Sequence, residues 1–367
     1  PPPPPPPPPF FFHAHHGNRD PLWSRGLGDV YKRQYWRYTP SQNGEREGLF
    51  SGHPLPLMVT HENIYNKAKK DNEECKFIIE ELTEADIPGP SLDDGLPVFE
   101  MLHKVLDESN IDKNDIHMIM PSINFDQQYI TWCKKNNHKE IIKHRHTYPF
   151  YFLDVQKKYE YVNNFNHNRI CHMMSLNGAM KPKRVEFVNF CKENRLMDNY
   201  ISLVGNYNTT GEEVEPVILD TNINNLKEDD KPVPLDMMYQ SWLNVINETH
   251  EDDTIFFTEK SWKPILNLQL FLYYGVGNPS AYYKALESFG FKLYDEIFDY
   301  NNDPKKEILK FCSTPLPLIQ SEIVEQVKDK MLYNQRLALD TDWRDVYHKK
   351  IYKGIYGKEK VSNNIWM

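Results

Sequence analysis

Residues 242–277 read WLNVINETHEDDTIFFTEKSWKPILNLQLFLYYGVG. An apolar run at Thr254–Phe257 predicts a strand that leads into the adjacent Glu259 and Lys260, and Leu268–Tyr274 predicts a second strand after a short helix. Backbone amides at a helix start and a lysine attract a diphosphate, while a carboxylate accepts hydrogen bonds from hydroxyl groups. The segment therefore predicts a nucleotide-sugar site, and the alternative interpretation is a strand–helix junction with a solvated ion pair.

The start of the helix depends on Pro264. If Thr258 were the N-cap, Pro264 would be the sixth helical residue, where its missing N–H and its ring cost about 3 kcal/mol. If Ser261 is the N-cap, Pro264 falls in the first turn, where proline is tolerated. We therefore expect Ser261 to be the N-cap, with Glu259 and Lys260 in the preceding loop. A kinked helix that starts at Thr258 is the alternative.

A second basic loop lies upstream, at Asn177–Arg184, between a predicted strand at Ile170–Leu176 and a predicted helix at Lys183–Arg195. Ligands of α/β proteins bind at the carboxyl ends of such strands. Lys181 and Arg184 could hold phosphates there, with the guanidinium bonding in a bidentate fork. The alternative is a solvated basic helix start, although cations at that position oppose the helix dipole.

A glycine-rich turn, Gly275-Val276-Gly277, closes the quoted segment and precedes a predicted helix at Ser280–Phe289. The third glycine of a dinucleotide fingerprint is absent, so the motif alone is weak. We interpret Gly275 and Gly277 as a turn that permits the close approach of a ligand or of a neighbouring loop. Gly290 is expected to end the helix, and Phe291–Tyr294 predicts a further strand.

The remaining hydrophobic pattern indicates two α/β halves. In the first half it predicts strands at Cys75–Glu80, Ile116–Met120 and Ile141–His144, and helices at Leu96–Ser109 and Asp126–Lys135. A strand at Tyr200–Val204 and a long helix at Gln320–Ala338 belong to the second half, and an aperiodic crossover at Tyr148–Val162 joins the two. Strands that alternate with helices indicate parallel sheets. We expect an α/β fold of two Rossmann-like halves with a C-terminal helix packing across them.

The first 34 residues are expected not to belong to the natural protein. Pro1–Pro9 is of low complexity, and Ser24–Gln34 resembles one reading frame of a transposon-end adapter used in sequencing libraries. This resemblance implies a gene predicted on metagenomic DNA and a disordered segment at 1–34. The alternative is a polyproline recognition tail. The predicted domains are 35–155 (N-terminal α/β), 156–315 (C-terminal α/β) and 316–367 (a helical segment).

Composition limits the function classes. The chain has 43 basic and 52 acidic side chains; the first 34 residues hold four and two of them, which leaves 39 and 50 and a formal charge of −11. A dedicated nucleic-acid binder would be basic, so no nucleic-acid partner is expected. Five scattered cysteines without CxxC spacing indicate thiols of a reducing compartment and a cytoplasmic location. No apolar run approaches the roughly 18 residues of a transmembrane helix.

The order of these motifs resembles the donor-binding half of α-1,3-fucosyltransferase-type enzymes of the GT-B fold. It also resembles uncharacterised glycosyltransferase-like proteins of marine phages and large DNA viruses. The matching features are a basic loop with Arg184, a strand that ends at Gly205, Asn-Glu-Thr at 247–249 and Thr-Glu-Lys at 258–260. The resemblance covers about residues 170–300.

This resemblance implies a metal-independent, inverting glycosyltransferase that uses a GDP- or other NDP-sugar as co-substrate, with no cofactor. Residues 35–155 would then be the acceptor domain, for a carbohydrate or glycan, and 156–315 the donor domain. Arg184, Glu259 and Lys260 would contact the diphosphate and ribose, and Glu248 would lie near the sugar. The full predicted donor-binding set is Lys181, Arg184, Glu248, Thr258, Glu259, Lys260, Gly275 and Gly277.

An inverting transfer needs a carboxylate base. Candidates are Glu84 and Glu80, just past the first predicted strand, although such acids are more often solvated surface groups. Asp340-Thr341-Asp342 resembles the metal-binding motif of another glycosyltransferase fold, but it follows a helix rather than a strand, so we interpret it as structural and expect no metal. The rival hypothesis is a non-catalytic viral or phage binding or assembly protein that retains the nucleotide-binding fold.

Overall fold

The computed structural model describes the backbone of residues 33–38 and 74–80 and, with gaps, residues 99–356. The gaps are 101–102, 104–105, 108–111, 143, 162–164, 166–168, 205–209, 211–212, 220–234, 249–253 and 276–278. The described residues form two compact units. The first contains the residues up to Met120, residues 127–146 and those from His348 onward, and the second contains residues 121–126 and 147–347.

The first unit is built on a four-stranded sheet. Its strands are β1 (Arg33–Tyr38), β2 (Glu74–Glu80), β3 (Ile116–Met120) and β4 (His144–Thr147), in the order β1-β2-β3-β4. β2 runs parallel to both β1 and β3. All five residues of β3 are buried, which is typical of a central parallel strand. The helix α1 (Phe125–Lys135) follows β3.

Aromatic packing forms the core of the first unit. Phe99, His103 and Leu106 are buried at helical spacing, within the helix predicted at Leu96–Ser109. The Phe99 ring lies 5.1 Å from the ring of Tyr129 on α1. The Tyr129 hydroxyl accepts hydrogen bonds from the backbone amides of Ile141 and Ile142. Those amides are therefore not available for strand pairing, which explains why β4 starts at His144 and not at the predicted Ile141.

The second unit contains a parallel sheet of four strands, β5 (Cys171–Asn177), β6 (Tyr200–Leu203), β7 (Ser241–Ile246) and β8 (Leu270–Tyr273), in the order β6-β5-β7-β8. The prediction of an α/β fold with parallel sheets is thus confirmed. The longer helices of this unit are α2 (Tyr151–Gln156), α3 (Pro182–Glu193), α4 (Leu235–Gln240), α5 (Glu259–Leu266), α6 (Pro279–Ser288), α7 (Pro304–Cys312) and α8 (Glu325–Asp340), and a three-residue helix, Leu316–Leu318, lies between α7 and α8. The final helix, α9 (Trp343–Tyr356), begins here.

The strand predicted at Thr254–Phe257 is wrong, since these residues are irregular. The backbone amide of Ile255 donates to the side chain of Asn124 at 2.9 Å, and its carbonyl accepts from the amide of Ile123 at 2.9 Å. The run is apolar because it is buried: Phe256 and Phe257 are at most 2% exposed. Loop contacts, rather than a neighbouring strand, satisfy this backbone.

The strand predicted at Phe291–Tyr294 is also wrong, and these residues are likewise irregular. The side chain of Asn334 on α8 bonds both backbone groups of Lys292, accepting from the amide and donating to the carbonyl, each at 2.8 Å. The hydroxyl of Tyr300 accepts from the amide of Tyr294. Side chains therefore take the place that a paired strand would have.

Two further predictions differ from the structure in extent. The predicted helix at Gln320–Ala338 begins as a π-helical stretch at Ile319–Val324 and continues as α8. The predicted crossover at Tyr148–Val162 contains the short helix α2.

The acidic motif at 340–342 lies at the junction of α8 and α9. The carboxylate of Asp342 accepts a hydrogen bond from the amide of Asp345 at 2.8 Å, so Asp342 serves as a helix cap.

Candidate functional site

The carboxyl ends of β5 and β7 lie side by side at the switch point of the sheet, which is the place where the connections that follow two adjacent strands lead to opposite sides. From β5 the chain passes through α3 to β6 on one side, and from β7 it passes through α5 to β8 on the other. Loops that leave adjacent strands in opposite directions open a crevice, and open α/β sheets bind ligands there. Both helices start at this edge, so the two loops singled out in the sequence converge on one place.

The start of α3 carries positive charge. Lys181 is its N-cap and makes no side-chain capping hydrogen bond, and Pro182 occupies the first turn, where its missing N–H costs nothing. Lys183 and Arg184 follow, and this turn contains no acidic residue. Cations here oppose the helix dipole, whereas an anion at the same place would be attracted by both the cations and the backbone amides.

Arg184 reaches from α3 to the end of β7. Its side chain is buried, at 4% exposure, and Nη2 donates to the backbone carbonyls of Asn247 at 3.4 Å and Glu248 at 3.3 Å. The guanidinium therefore lies at the boundary between the loops that follow β5 and β7. The two backbone carbonyls hold the guanidinium at this edge of the sheet.

The helix α5 starts earlier than predicted. Thr258 is the N-cap, and its hydroxyl oxygen accepts from the amide of Lys260 at 3.2 Å. The expected cap at Ser261 is wrong, and Glu259 and Lys260 belong to the first turn rather than to the preceding loop. Pro264 lies inside the helix, as in the alternative arrangement.

The carboxylate of Glu248 accounts for this difference. It accepts from the Thr258 amide at 3.0 Å and from the hydroxyls of Thr258 and Ser261, both at 2.5 Å. Ser261 thus donates to Glu248 rather than capping the helix. Hydrogen bonds to a charged group are worth about 1.5–3 kcal/mol each, so together they exceed the cost of about 3 kcal/mol for an internal proline.

Glu248 is 5% exposed. Burial raises the pKa of its carboxyl group, while the nearby ammonium of Lys260 acts in the opposite direction. Both carboxylate oxygens are occupied by the start of α5, so the side chain ties the end of β7 to that helix. The hydroxyl of Tyr282 extends the chain of bonds by donating to Ser261 Oγ at 2.7 Å.

Lys260 and Glu259 form an ion pair at 2.8 Å, with side chains 24% and 20% exposed. Burial raises the pKa of Glu259, but the ammonium groups of Lys260 and Lys263 outweigh it and bring the pKa to about 2. Burial lowers the pKa of Lys260, but the carboxylates of Glu259 and Glu248 outweigh it and raise the pKa; the Arg184 guanidinium acts against them. Arg184 and Lys260 are therefore within electrostatic reach of each other.

The structure thus brings together five of the predicted donor-binding residues: Arg184, Glu248, Thr258, Glu259 and Lys260. Lys181 lies at the same edge, as the N-cap of α3, and Gly275 follows β8. The backbone of Glu80 ends β2. The side chain of Glu80, and Glu84 and Gly277 altogether, lie outside the described residues.

Three contributors to the cluster were not predicted: Ser261 as a partner of Glu248, Tyr282 as a partner of Ser261, and Lys263, which is 7% exposed. Of these three residues, only Lys263 could have been identified from the sequence, because it lies one helical turn after Glu259 and thus on the same face. Nothing in the sequence pairs Tyr282 with Ser261. Within the described ranges there is no group of three or more His, Cys, Asp or Glu side chains that could hold a metal ion.

Gly275 makes a close approach to a neighbouring ring. A Cβ atom added there would lie 1.9 Å from the ring of Tyr273, which is stacked on Tyr282 with ring centroids 4.2 Å apart.

We expect Gly275→Ala to lower the free energy of unfolding by about 1–3 kcal/mol, which is typical of substitutions that overpack a site. Urea denaturation measures this change. In a Tyr273→Ala background the same substitution should cost little, and an undiminished cost there would contradict this explanation.

No known protein family and no curated protein sequence matches the chain. Among solved structures, it is similar to the crystal structure of the DNA-modifying enzyme β-glucosyltransferase in the presence and absence of the substrate uridine diphosphoglucose. The identity is 9% and the TM-score 0.38, over 87% of this chain and 99% of that chain.

No helix in the described ranges has the length and apolar character needed to cross a bilayer.

Proposed function

We propose that the protein is a metal-independent glycosyltransferase of the GT-B type, built from two Rossmann-like halves, that transfers a sugar from a GDP- or other NDP-sugar to a carbohydrate or glycan acceptor. The diphosphate of the donor binds at the carboxyl ends of β5 and β7. The observation that carries the proposal is the convergence of Arg184 and Lys260, which follow two different strands, on this one edge of the sheet.

The charge balance of the cluster supports an anionic ligand. Arg184, Lys260 and Lys263 supply three cations, against the two carboxylates of Glu248 and Glu259. Lys181, the N-cap of α3, adds a fourth cation at the same edge, whereas Lys183 forms an ion pair with Glu186 at 2.6 Å. A diphosphate would receive charge-assisted hydrogen bonds from the cations and from the amides at the start of α3.

The proposed reaction is an inverting displacement. A carboxylate removes the proton of the acceptor hydroxyl as this oxygen attacks the anomeric carbon, and the bond from that carbon to the diphosphate breaks. The negative charge that develops on the leaving diphosphate is stabilised by Arg184 and Lys260. Glu80 or Glu84 is the proposed base. Glu248 has both oxygens bonded to the start of α5, Oε1 to Ser261 and Oε2 to Thr258, which gives it a positioning role.

Calorimetric titration with GDP, UDP and their sugars tests the proposal. We expect Lys260→Ala to weaken diphosphate binding by about 1–3 kcal/mol, because one charge-assisted contact is lost. The matched control is Lys328→Ala, which removes an exposed lysine paired with Glu325 on α8 and should leave affinity unchanged. Wild-type protein that binds none of these ligands would refute the proposal.

One observation favours the alternative of a non-catalytic viral or phage binding or assembly protein that keeps this fold. The cations already have partners within the chain: Lys260 contacts Glu259 and Arg184 bonds two carbonyls, so the cluster can be stable without a ligand. The two functions differ in turnover. Slow hydrolysis of a bound nucleotide sugar to the diphosphate, measured without acceptor, supports the enzyme, whereas binding without any turnover supports the alternative.

A further inference from the structure

Two asparagines lie side by side at the carboxyl ends of β5 and β7. Met174 on β5 is opposite Asn244 on β7. Asn177, the last residue of β5, and Asn247, the first residue after β7, each lie three residues further along the chain. Their side chains are 1% and 2% exposed. The backbone carbonyl of Asn247 also accepts from Arg184, so the pair adjoins the proposed diphosphate site.

The orientation of both side-chain amides is set by acceptors. Ser175 Oγ donates to the carbonyl of Val245 at 3.0 Å, so it can only accept from Asn247 Nδ2 at 3.0 Å. Asn177 Nδ2 faces the carbonyl of Ser202 at 3.1 Å and Ser175 Oγ at 3.3 Å. A carbonyl cannot donate a hydrogen bond, and neither can a hydroxyl whose hydrogen is already donated to another group. The side-chain nitrogens of both asparagines must therefore face these acceptors in the sheet, and the side-chain oxygens face away from them.

Neither amide oxygen, Asn177 Oδ1 or Asn247 Oδ1, accepts a hydrogen bond from any residue within the described part of the chain, although both are buried. Buried acceptors are nearly always bonded, because an unmade bond is costly. Two uncharged acceptors thus stand at the switch point of the sheet, next to a guanidinium, with capacity for two donors.

We infer that Asn177 and Asn247 bind two neighbouring hydroxyl groups of the donor, next to its diphosphate. The inference rests on the proposed function and adds to it a subsite for a vicinal diol. In a nucleotide sugar, the groups on both sides of the diphosphate are polyols, namely the ribose and the transferred sugar. An amide oxygen is an uncharged acceptor that binds a hydroxyl donor, whereas a guanidinium binds the negatively charged oxygens of a phosphate. The asparagines therefore suit the diol, and Arg184 suits the diphosphate.

Calorimetry with a series of ligands separates these contributions. The probes are pyrophosphate, GDP and UDP, their 2′,3′-dideoxy analogues, and GDP-mannose and UDP-glucose. We expect Asn177→Ala and Asn247→Ala each to weaken nucleotide or nucleotide-sugar binding roughly 3- to 10-fold, for the loss of one hydrogen bond, with pyrophosphate affinity unchanged. Asn244→Ala is the matched control, since it is also buried on β7 but its amide is bonded to Gln269 at 3.2 Å.

The source of the diol follows from the ligands. If the ribose supplies it, the dideoxy analogues bind the wild-type protein more weakly than GDP or UDP, and the asparagine variants no longer distinguish the two. If the transferred sugar supplies it, the variants weaken only the nucleotide sugars. The wild-type comparison of ribose with dideoxyribose, and of nucleotide with nucleotide sugar, needs no variant and holds even if one variant fails to fold.

Other outcomes overturn the inference. Equal losses for pyrophosphate and nucleotides in the asparagine variants would indicate a structural role, and unchanged affinity for all ligands would indicate that water or another part of the chain satisfies the two oxygens. If pyrophosphate binds the wild-type protein and only the asparagine effects are missing, the proposed function stands without this subsite. If wild-type protein binds neither pyrophosphate nor any nucleotide, the proposed function fails first.

Discussion

Replacing Arg184 by alanine should weaken the binding of pyrophosphate and of nucleoside diphosphates about 10- to 150-fold, which corresponds to the roughly 1.5–3 kcal/mol of a hydrogen bond to a charged group. The guanidinium is buried at the switch point of the sheet and is held there by two backbone carbonyls. A cation positioned in this way loses little entropy when a diphosphate binds. Calorimetric titration of both proteins measures the difference.

Arg184→Lys should recover part of the affinity, because it restores the charge without the planar fork. Lys192→Ala is the control: it removes one positive charge from the last turn of the same helix, where the side chain is exposed. Thermal unfolding of each variant checks that the fold is retained. Folded Arg184→Ala with unchanged pyrophosphate affinity would show that the guanidinium only braces the chain.

Glu248→Ala should lower the free energy of unfolding by about 3–5 kcal/mol, as expected when one member of a buried charged network is removed. The Thr258 amide and the hydroxyls of Thr258 and Ser261 would lose their acceptor. Lys260 would keep its charge with less compensation. Urea denaturation, followed by the circular dichroism of the helices, measures the loss.

Glu248→Gln should cost much less, roughly 1 kcal/mol, because the amide side chain keeps the shape of the carboxylate and still accepts hydrogen bonds. Glu325→Ala removes a carboxylate from an exposed ion pair with Lys328 and should change stability by less than about 1 kcal/mol. A cost for Glu248→Ala no greater than that of the Glu325 control would contradict the positioning role assigned to Glu248.

Local pattern predicted most elements of both sheets, because strand and helix periodicities are properties of neighbouring residues. The runs at Cys75–Glu80, Ile116–Met120 and Ile170–Leu176 are strands within one residue of the predicted bounds. The failures have a common origin. Thr254–Phe257 and Phe291–Tyr294 have the composition of strands, but side chains distant in sequence, such as Asn334, take up their backbone hydrogen bonds.

The amino-acid sequence by itself determined the fold class, the basic loop before α3 and the Glu-Lys pair at 259–260, since each rests on residues close together along the chain. Tertiary structure alone decided that Arg184 and Lys260 share one edge, because their meeting depends on the strand order β6-β5-β7-β8. It also moved the cap from Ser261 to Thr258, through a buried carboxylate ten or more residues away. Long-range hydrogen bonds to a desolvated charge outweigh a local preference of a few kcal/mol.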